Sequence, residues 1–336
     1  MSESRAENPT IYDVARLAGL SIATVSRVIN SPDQVNEVTR NKVLGIIDEI
    51  GYIPKAEARA RAMRSNRRIG VLVPFFTAPS FVERLRGISY VIGKTNYELI
   101  VYTVDSLKSL QNYLVSLAMT RNLDGLIIIS LPFHERDAQR LAAHHVNTVV
   151  IEYEQDFFSS VRIDNPGGGK IAARYLTGKG HQRLGFIGEI NPPDYAIRPA
   201  LARLNGFQEG LAEKSILLPD ELICSSPIDK EISLNKAREL LLRTGRPTAI
   251  FAAADIQAMA VIKAAKEIGL SIPHDLAVLG FDGLETADYM GLSTIDQSLV
   301  DSGRIAAEML LAQISDAGRA VQHVSLPLKI LERETS

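Results

Sequence analysis

The chain has 336 residues, 46% of them apolar and 23% charged, with a formal net charge of −2. That is enough for several folding units with large cores, and the ordinary balance excludes a disordered or fibrous chain. The single cysteine, Cys224, excludes an intramolecular disulfide; the best apolar run, Leu126 to Leu131, is too short to span a bilayer; and the opening MSESRAENPT has no apolar signal segment, so a cytoplasmic protein is expected.

Residues 1–68 hold 11 Lys/Arg against 8 Asp/Glu, and the remainder 26 against 31, so positive charge gathers at the amino end. That end contains TIYDVARLAGLSIATVSRVIN, Thr10 to Asn30. Thr10 with Asp13 three residues on is an acidic form of the capping box. Ile11, Val14, Ala15 and Ala18 then share one helical face. Gly19 stops that helix in a left-handed turn, and Ser21 caps a second whose apolar side is Val25, Val28 and Ile29. Ala15, Gly19 and Ala23 are small where two helices must cross. The pattern predicts a helix-turn-helix with its second helix in the DNA major groove.

A generic helical hairpin is the plain alternative. Against it stands the outward side of the second helix, with Ile22, Ala23, Thr24, Ser26, Arg27 and Asn30. That set offers hydroxyls for phosphates, a guanidinium for a guanine edge and small apolar groups for thymine methyls. A merely solvated face carries more Glu and Lys.

Asn36 caps a third helix, Glu37 to Ile50, that offers Val38, Val43, Leu44, Ile46 and Ile47 to a small core. Gly51 ends it, and Tyr52-Ile53-Pro54 breaks the chain. Lys55 to Met63, KAEARARAM, has high helix propensity but almost no apolar face, so it forms a helix only with outside support. Lys55, Arg59, Arg61, Arg64, Arg67 and Arg68 make this stretch basic, as a phosphate-contacting segment is; a plain tether is the alternative.

From Ile69 the texture becomes α/β. Apolar strands at Ile69–Phe75, Leu99–Val104, Gly125–Ser130 and Thr148–Glu152 alternate with helices. A second series runs from Val161 to Phe281. Near-continuous apolar strands between helices mean parallel sheets covered on both faces. Two doubly wound lobes place a ligand cleft at the carboxyl ends of their strands. A helix from Ser298 to Ser315 and one strand, Val324 to Leu331, return to complete the sheets. The expected division is a headpiece at 1–52, a hinge helix and linker at 53–68 and a core at 69–336. Within the core, lobe 1 takes about 69–160 plus about 291–320, and lobe 2 about 161–290 plus about 321–331. No sequence repeat aligns between the two lobes.

On these residues the chain resembles the lactose-repressor (LacI/GalR) family of bacterial transcription regulators. The run T-I-x-D-V-A-x-x-A-G-x-S-x-A-T-V-S-R-V-x-N matches Thr10 to Asn30, and Gly51-Tyr52-x-Pro54 matches the approach to the family's hinge helix. Further matches are Asp164-Asn165 with Gly168-Gly169, Gly180-His181-x-Arg183, Arg203-x-x-Gly206-Phe207, Val278-x-Gly280-Phe281-Asp282 and Gln297. The resemblance implies an N-terminal all-α helix-turn-helix headpiece and a periplasmic-binding-protein-like core of two doubly wound parallel-sheet lobes. It implies a homodimeric repressor, or a tetramer, on a near-palindromic double-stranded operator, controlled by a small-molecule effector, a sugar or sugar derivative. The residues themselves lead to no expectation of enzyme activity, a cofactor, a metal site or a membrane partner. Ile22, Ala23 and Arg27 match base readers, and Thr10, Ser21, Thr24, Ser26 and Asn30 match phosphate contacts. Lys55, Arg59 and Met63 fall on the hinge that enters the minor groove. The family's apolar wedge falls at Arg61, whose charge cannot wedge base pairs; a register shifted by two puts Met63 there, and Met63 is preferred.

Arg203, Asp255 and Asp282 match positions that bond effector hydroxyls, a set suited to a polyol. Phe75, Phe76 and Phe81 offer an apolar wall for a sugar ring, or core packing. Ala254 and Gly283 depart from the family's Asn and Asp and leave the effector's identity open. Other chemistries are weaker. Gly167-Gly168-Gly169-Lys170 lacks the spacing of a phosphate loop, and no G-x-S-x-G elbow occurs. A sugar-binding protein of transport or sensing is the competing reading; it needs a signal segment and no headpiece.

Overall fold

A computed structural model describes residues 9–30, 35–50, 52, 66–120, 122–153, 155–316 and 318–336. The chain divides into two compact units, 1–66 and 67–336.

The first unit contains three helices, α1 (Ile11–Ala18), α2 (Ile22–Asn30) and α3 (Glu37–Ile50). The Asp13 carboxylate accepts from the Thr10 N–H at 2.9 Å and the Thr10 hydroxyl at 2.7 Å, closing the first turn of α1. Gly19 ends α1 at φ +63°, a conformation that a Cβ would strain. The Ser21 hydroxyl accepts from the Thr24 N–H, and Asn36 Oδ1 accepts from the Thr39 N–H. Val14, Ala15, Ala18, Val25, Val28 and Val43 form the core, with Ile46, Ile47 and Ile50 against it. Two α3 residues assigned to that core from sequence are not in it: Val38 is 82% exposed and Leu44 42%. The buried line of α3 runs Val43, Ile46, Ile47, Ile50 at three- and four-residue steps, and Val38 and Leu44 fall off it.

The second unit holds two six-stranded sheets. Sheet A contains β1 (Arg68–Pro74), β2 (Glu98–Val104), β3 (Gly125–Ile129), β4 (Asn147–Ile151), β5 (Ser159–Ile163) and β11 (His323–Leu326). Its order is β11-β5-β4-β3-β1-β2, and every pairing is parallel. Sheet B contains β6 (Leu184–Gly188), β7 (Ile223–Ser225), β8 (Ala249–Ala252), β9 (Ala277–Asp282), β10 (Ser293–Asp296) and β12 (Lys329–Leu331). Its order is β12-β10-β9-β8-β6-β7, parallel except for β12. Helices α4 (Pro79–Ile92), α5 (Leu107–Thr120) and α6 (Glu135–Ala143) connect the strands of sheet A. Helices α8 (Pro199–Ala212), α9 (Lys230–Leu241), α10 (Asp255–Glu267) and α11 (Glu285–Tyr289) connect those of sheet B.

The two orders are the same permutation, β5-β4-β3-β1-β2 against β10-β9-β8-β6-β7. The lobes are structural repeats although their sequences do not align. Each then sends a helix to the other. After β5, α7 (Asn165–Gly178) packs on α8 of lobe 2; after β10, α12 (Leu299–Ser315) packs on α4 of lobe 1.

This exchange corrects three boundaries read from sequence. Strand β5 belongs to lobe 1, β10 belongs to lobe 2, and the single strand expected at Val324–Leu331 is two, one in each sheet. Pro327 lies between β11 and β12 and has no N–H to give a ladder, so the strand breaks and the chain changes lobes there. The chain thus crosses between lobes three times, after β5, β10 and β11.

Candidate functional site

In the headpiece, Thr10, Ser21, Ile22, Ala23 and Arg27 are exposed, and Thr24 and Ser26 are half-buried. Ile22, Ala23 and Arg27 lie at steps of one and four, with Val25 and Val28 buried on the opposite side of α2. The Ser21 and Thr24 hydroxyls lie 2.9 Å apart, so each holds the other as well as facing outward. The Asn30 side chain and Lys55, Arg59, Arg61 and Met63 lie outside the described residues.

In the core, doubly wound sheets leave a crevice where strand order reverses. That point lies between β1 and β3 in sheet A, and between β6 and β8 in sheet B. A cleft opens there. Lobe 1 lines it with Phe75, Phe81, Arg84, Ser130 and Glu152, and lobe 2 with Glu189, Arg203, Gln257 and Asp282. Gln297, at the second crossing, lies between them.

Four of the lining residues have positive φ: Phe75 at 42°, Ser130 at 52°, Glu152 at 63° and Asp282 at 138°. Each ends or directly follows a strand, at a cost of about 1–3 kcal/mol apiece. Strain gathered at one crevice marks it as the site the fold maintains.

Polar contacts span the cleft. Arg84 Nη2 donates to Glu152 Oε1 at 2.9 Å and to Gln297 Oε1 at 3.1 Å. Gln297 Nε2 donates to Asp282 Oδ1 at 2.6 Å. Arg203 donates to Asn165 Oδ1 at 2.8 Å and to the Ala253 carbonyl at 2.6 Å, and its guanidinium stacks 3.7 Å over the Phe281 ring. The Ser130 hydroxyl donates to Glu152 Oε2 at 2.5 Å.

Burial works against the Glu152 charge, but Arg84, Arg203 and the Ser130 hydroxyl outweigh it and hold its carboxyl below the usual range. Asp282 goes the other way. Burial, with Asp255 behind it, pushes it up to about 7 against the pull of Arg203 and Arg84.

Of the effector residues read from sequence, Phe75, Phe81, Arg203 and Asp282 line the cleft. Phe75 packs 6.3 Å from Phe81 and 5.9 Å from Tyr195, forming an apolar wall. Asp255 is a correction. It is fully buried, outside the lining, and its carboxylate accepts from the Thr294 hydroxyl at 2.5 Å and the Leu284 N–H at 2.9 Å. The acid at the start of α10 is spent on holding the end of sheet B. Substituting it leaves two donors unsatisfied before any ligand is affected.

Arg84 and Glu152 went unread in the sequence. A signal for Arg84 existed: it interrupts the buried line Phe81, Gly87, Ile88, Ile92 of α4, where a charge needs a partner. Glu152 likewise directly follows the buried apolar run Val149–Ile151 of β4. The Gly167–Lys170 run is structural, since Asp164 Oδ1 accepts from the Gly167 N–H and Lys170 pairs with Glu209 at 2.8 Å.

Residues 10–55 match the profile of bacterial regulatory proteins, lacI family, and residues 173–336 a periplasmic binding protein-like domain. The HTH-type transcriptional repressor PurR of Salmonella typhimurium is 33% identical over 97% of this chain and 96% of its own length. This chain belongs to the lacI family. It is thus a DNA-binding regulator with an effector cleft, and not an enzyme.

Solved structures agree in fold. A lac repressor dimer bound to operator and an anti-inducer superposes with a TM-score of 0.78 at 25% identity, covering 98% of this chain and 99% of that one. A LacI family regulator from Enterococcus faecium with bound ribose gives 0.70 at 29% identity, covering 80% and 98%.

Proposed function

We propose that this LacI-family protein is a transcriptional repressor that binds a near-palindromic operator as a homodimer and is controlled by a carbohydrate or carbohydrate derivative in the cleft. The observation that carries the reading is α2, which turns Ile22, Ala23 and Arg27 outward over a buried Val25–Val28 side, in a chain that also holds a strained, polar, two-lobed cleft. PurR is a repressor, the lac repressor dimer holds operator, and the Enterococcus faecium relative holds ribose. A cleft with an aromatic wall beside a guanidinium and carboxylates suits a ring bearing hydroxyls. Exposed apolar side chains on lobe 1, Val82 and Tyr90 on α4 and Leu107, Val115 and Met119 on α5, favour self-association. Lys55, Arg59 and Met63 keep their proposed place at the centre of the operator, with Met63 as the wedge.

Nuclease footprinting tests this. A dimer protects about two helical turns with two-fold symmetry, and a sugar changes the protection. No footprint at low salt, with or without sugars, leaves only the transport-type reading.

Arg27→Ala is expected to cost about 1–3 kcal/mol of operator affinity and to relax discrimination at one base position. Competition binding with singly substituted operators reads this out. An equal loss on every sequence makes Arg27 a phosphate contact instead.

A further inference from the structure

The lobes share a strand order, but one connection differs between them. In lobe 1 the chain passes from β1 to α4 in four residues, 75–78; the equivalent passage in lobe 2, from β6 to α8, takes ten, 189–198. The added length does not stay on lobe 2. Tyr195 packs against the apolar cluster of lobe 1 that holds Phe133 and Phe158, and its ring lies 5.9 Å from that of Phe75. The Ile197 N–H donates to the Ser130 carbonyl of lobe 1 at 3.3 Å. Between them Ala196 is buried, and its N–H closes a turn on the Pro193 carbonyl. Pro192 and Pro193 fix the backbone at one end and Pro199 opens α8 at the other, so the segment is a stiff strap from lobe 2 laid on lobe 1.

The strap walls the cleft. Pro192, Ala196 and Ile197 line it, and the Ser130 that takes the strap's bond also holds Glu152 through its hydroxyl. With the strap seated the cleft encloses about 80 Å³. Sites that hold small molecules enclose roughly 300–1,000 Å³, so something must move before an effector enters. Arg84 points the same way. It lines the cleft, and among the described residues its buried Nε has no hydrogen-bond partner. The seated arrangement thus leaves a donor unsatisfied that opening can satisfy. The strap is the element held least, by one long amide bond and one ring contact. Parting the lobes as bodies must break these and also the Arg86–Glu285 pair, and pull Glu152 from Arg203, 4.0 Å away.

We propose that residues 189–198 are the gate of the cleft: the strap leaves Phe75 and Ser130 to admit the effector, so the seated strap and a bound effector exclude each other. Tyr195 is the residue that sets how often the gate opens, through its ring on the lobe 1 cluster. The inference rests on the reading of the cleft as the effector site. The ring that the strap uncovers, Phe75, belongs to the apolar wall on which that reading places a sugar.

The test needs no effector. In the full chain carrying Cys224→Ser, Ala254→Cys puts the one thiol on the cleft lining, at a buried position. Its reaction with methyl methanethiosulfonate, followed by mass, reads how often the cleft admits a small neutral molecule. Adding Tyr195→Ala is expected to raise that rate about tenfold, as loss of a packed aromatic contact does, and Tyr195→Phe, which keeps the ring, to leave it within about twofold. Hydrogen exchange in peptides spanning 189–198 rises with the first variant and not with the second, while β1, β3, β6 and β8 stay protected. A labelling rate that Tyr195→Ala does not change, or that Tyr195→Phe raises as much, overturns the gate. So does faster labelling with exchange rising throughout both lobes, since the lobes then part as bodies. Thermal shift of the wild type with D-ribose, D-glucose and cellobiose is read separately. Silence there overturns the carbohydrate reading, and the labelling still decides the strap.

Discussion

Gly206→Ala is expected to destabilise the core by about 1–3 kcal/mol, or to prevent it from folding. The sign is what matters. Glycine inside a helix is ordinarily less stable than alanine by about 0.5–1 kcal/mol, so the exchange should help. Here a Cβ would stand 1.9 Å from the Pro166 carbonyl oxygen, and across the same crossing a Cβ at Gly169 would stand 2.0 Å from the carbonyl of Arg203. Both obstacles are backbone, which cannot swing aside as a side chain can. Helices α7 and α8 would have to part, carrying Arg203 away from Asn165 and the cleft. Gly178→Ala at the end of α7 is the control, since nothing lies within 4 Å of its Cβ position. Denaturant unfolding of both variants reads the difference. If Gly206→Ala is as stable as Gly178→Ala, the crossing is looser than described.

Asp282→Asn is expected to raise thermal stability at pH 8 and to abolish the effector response. Burial and the neighbouring Asp255 raise the folded Asp282 to about 7, well above the ordinary aspartate value of 3.8. Between those two values the folded chain holds a proton that the unfolded chain has released. Stability from this group is therefore greatest at low pH and declines as pH rises towards 7. Asparagine carries no charge to bury and avoids the decline, while its amide oxygen can still accept from Gln297 Nε2. The gain over wild type should grow by about 1–3 kcal/mol between pH 5 and pH 8. Melting curves at the two pH values decide it. An equal gain at both, or a wild type that grows steadier from pH 5 to pH 8, contradicts this account of the site. A group that weakens the fold and yet lines the cleft fits the usual exchange of stability for function.

The local rules were readable from residue types. The capping of α1 by Thr10 and Asp13, the turn at Gly19 and the outward set Ile22, Ala23 and Arg27 depend on neighbours within about one turn of helix. The cleft was legible in part. Arg203 and Asp282 could be placed by resemblance, and Phe75 and Phe81 by their position after a strand. Asp255 misled, because its surroundings are set by Thr294 and Leu284, far along the chain. Arg84 stayed hidden because its partners Glu152 and Gln297 lie 68 and 213 residues away, and only the crossover of α12 brings Gln297 to it.

The amino-acid sequence by itself determined a helix-turn-helix headpiece joined to a two-lobed α/β core. Both follow from periodicity, caps and strand–helix alternation, which act over short stretches of chain. The tertiary structure alone decided which strands belong to which lobe, that Asp255 lies outside the cleft lining, and that Arg84 joins Arg203 in it. Those facts depend on which distant segments the sheet order makes neighbours, and no local pattern records that.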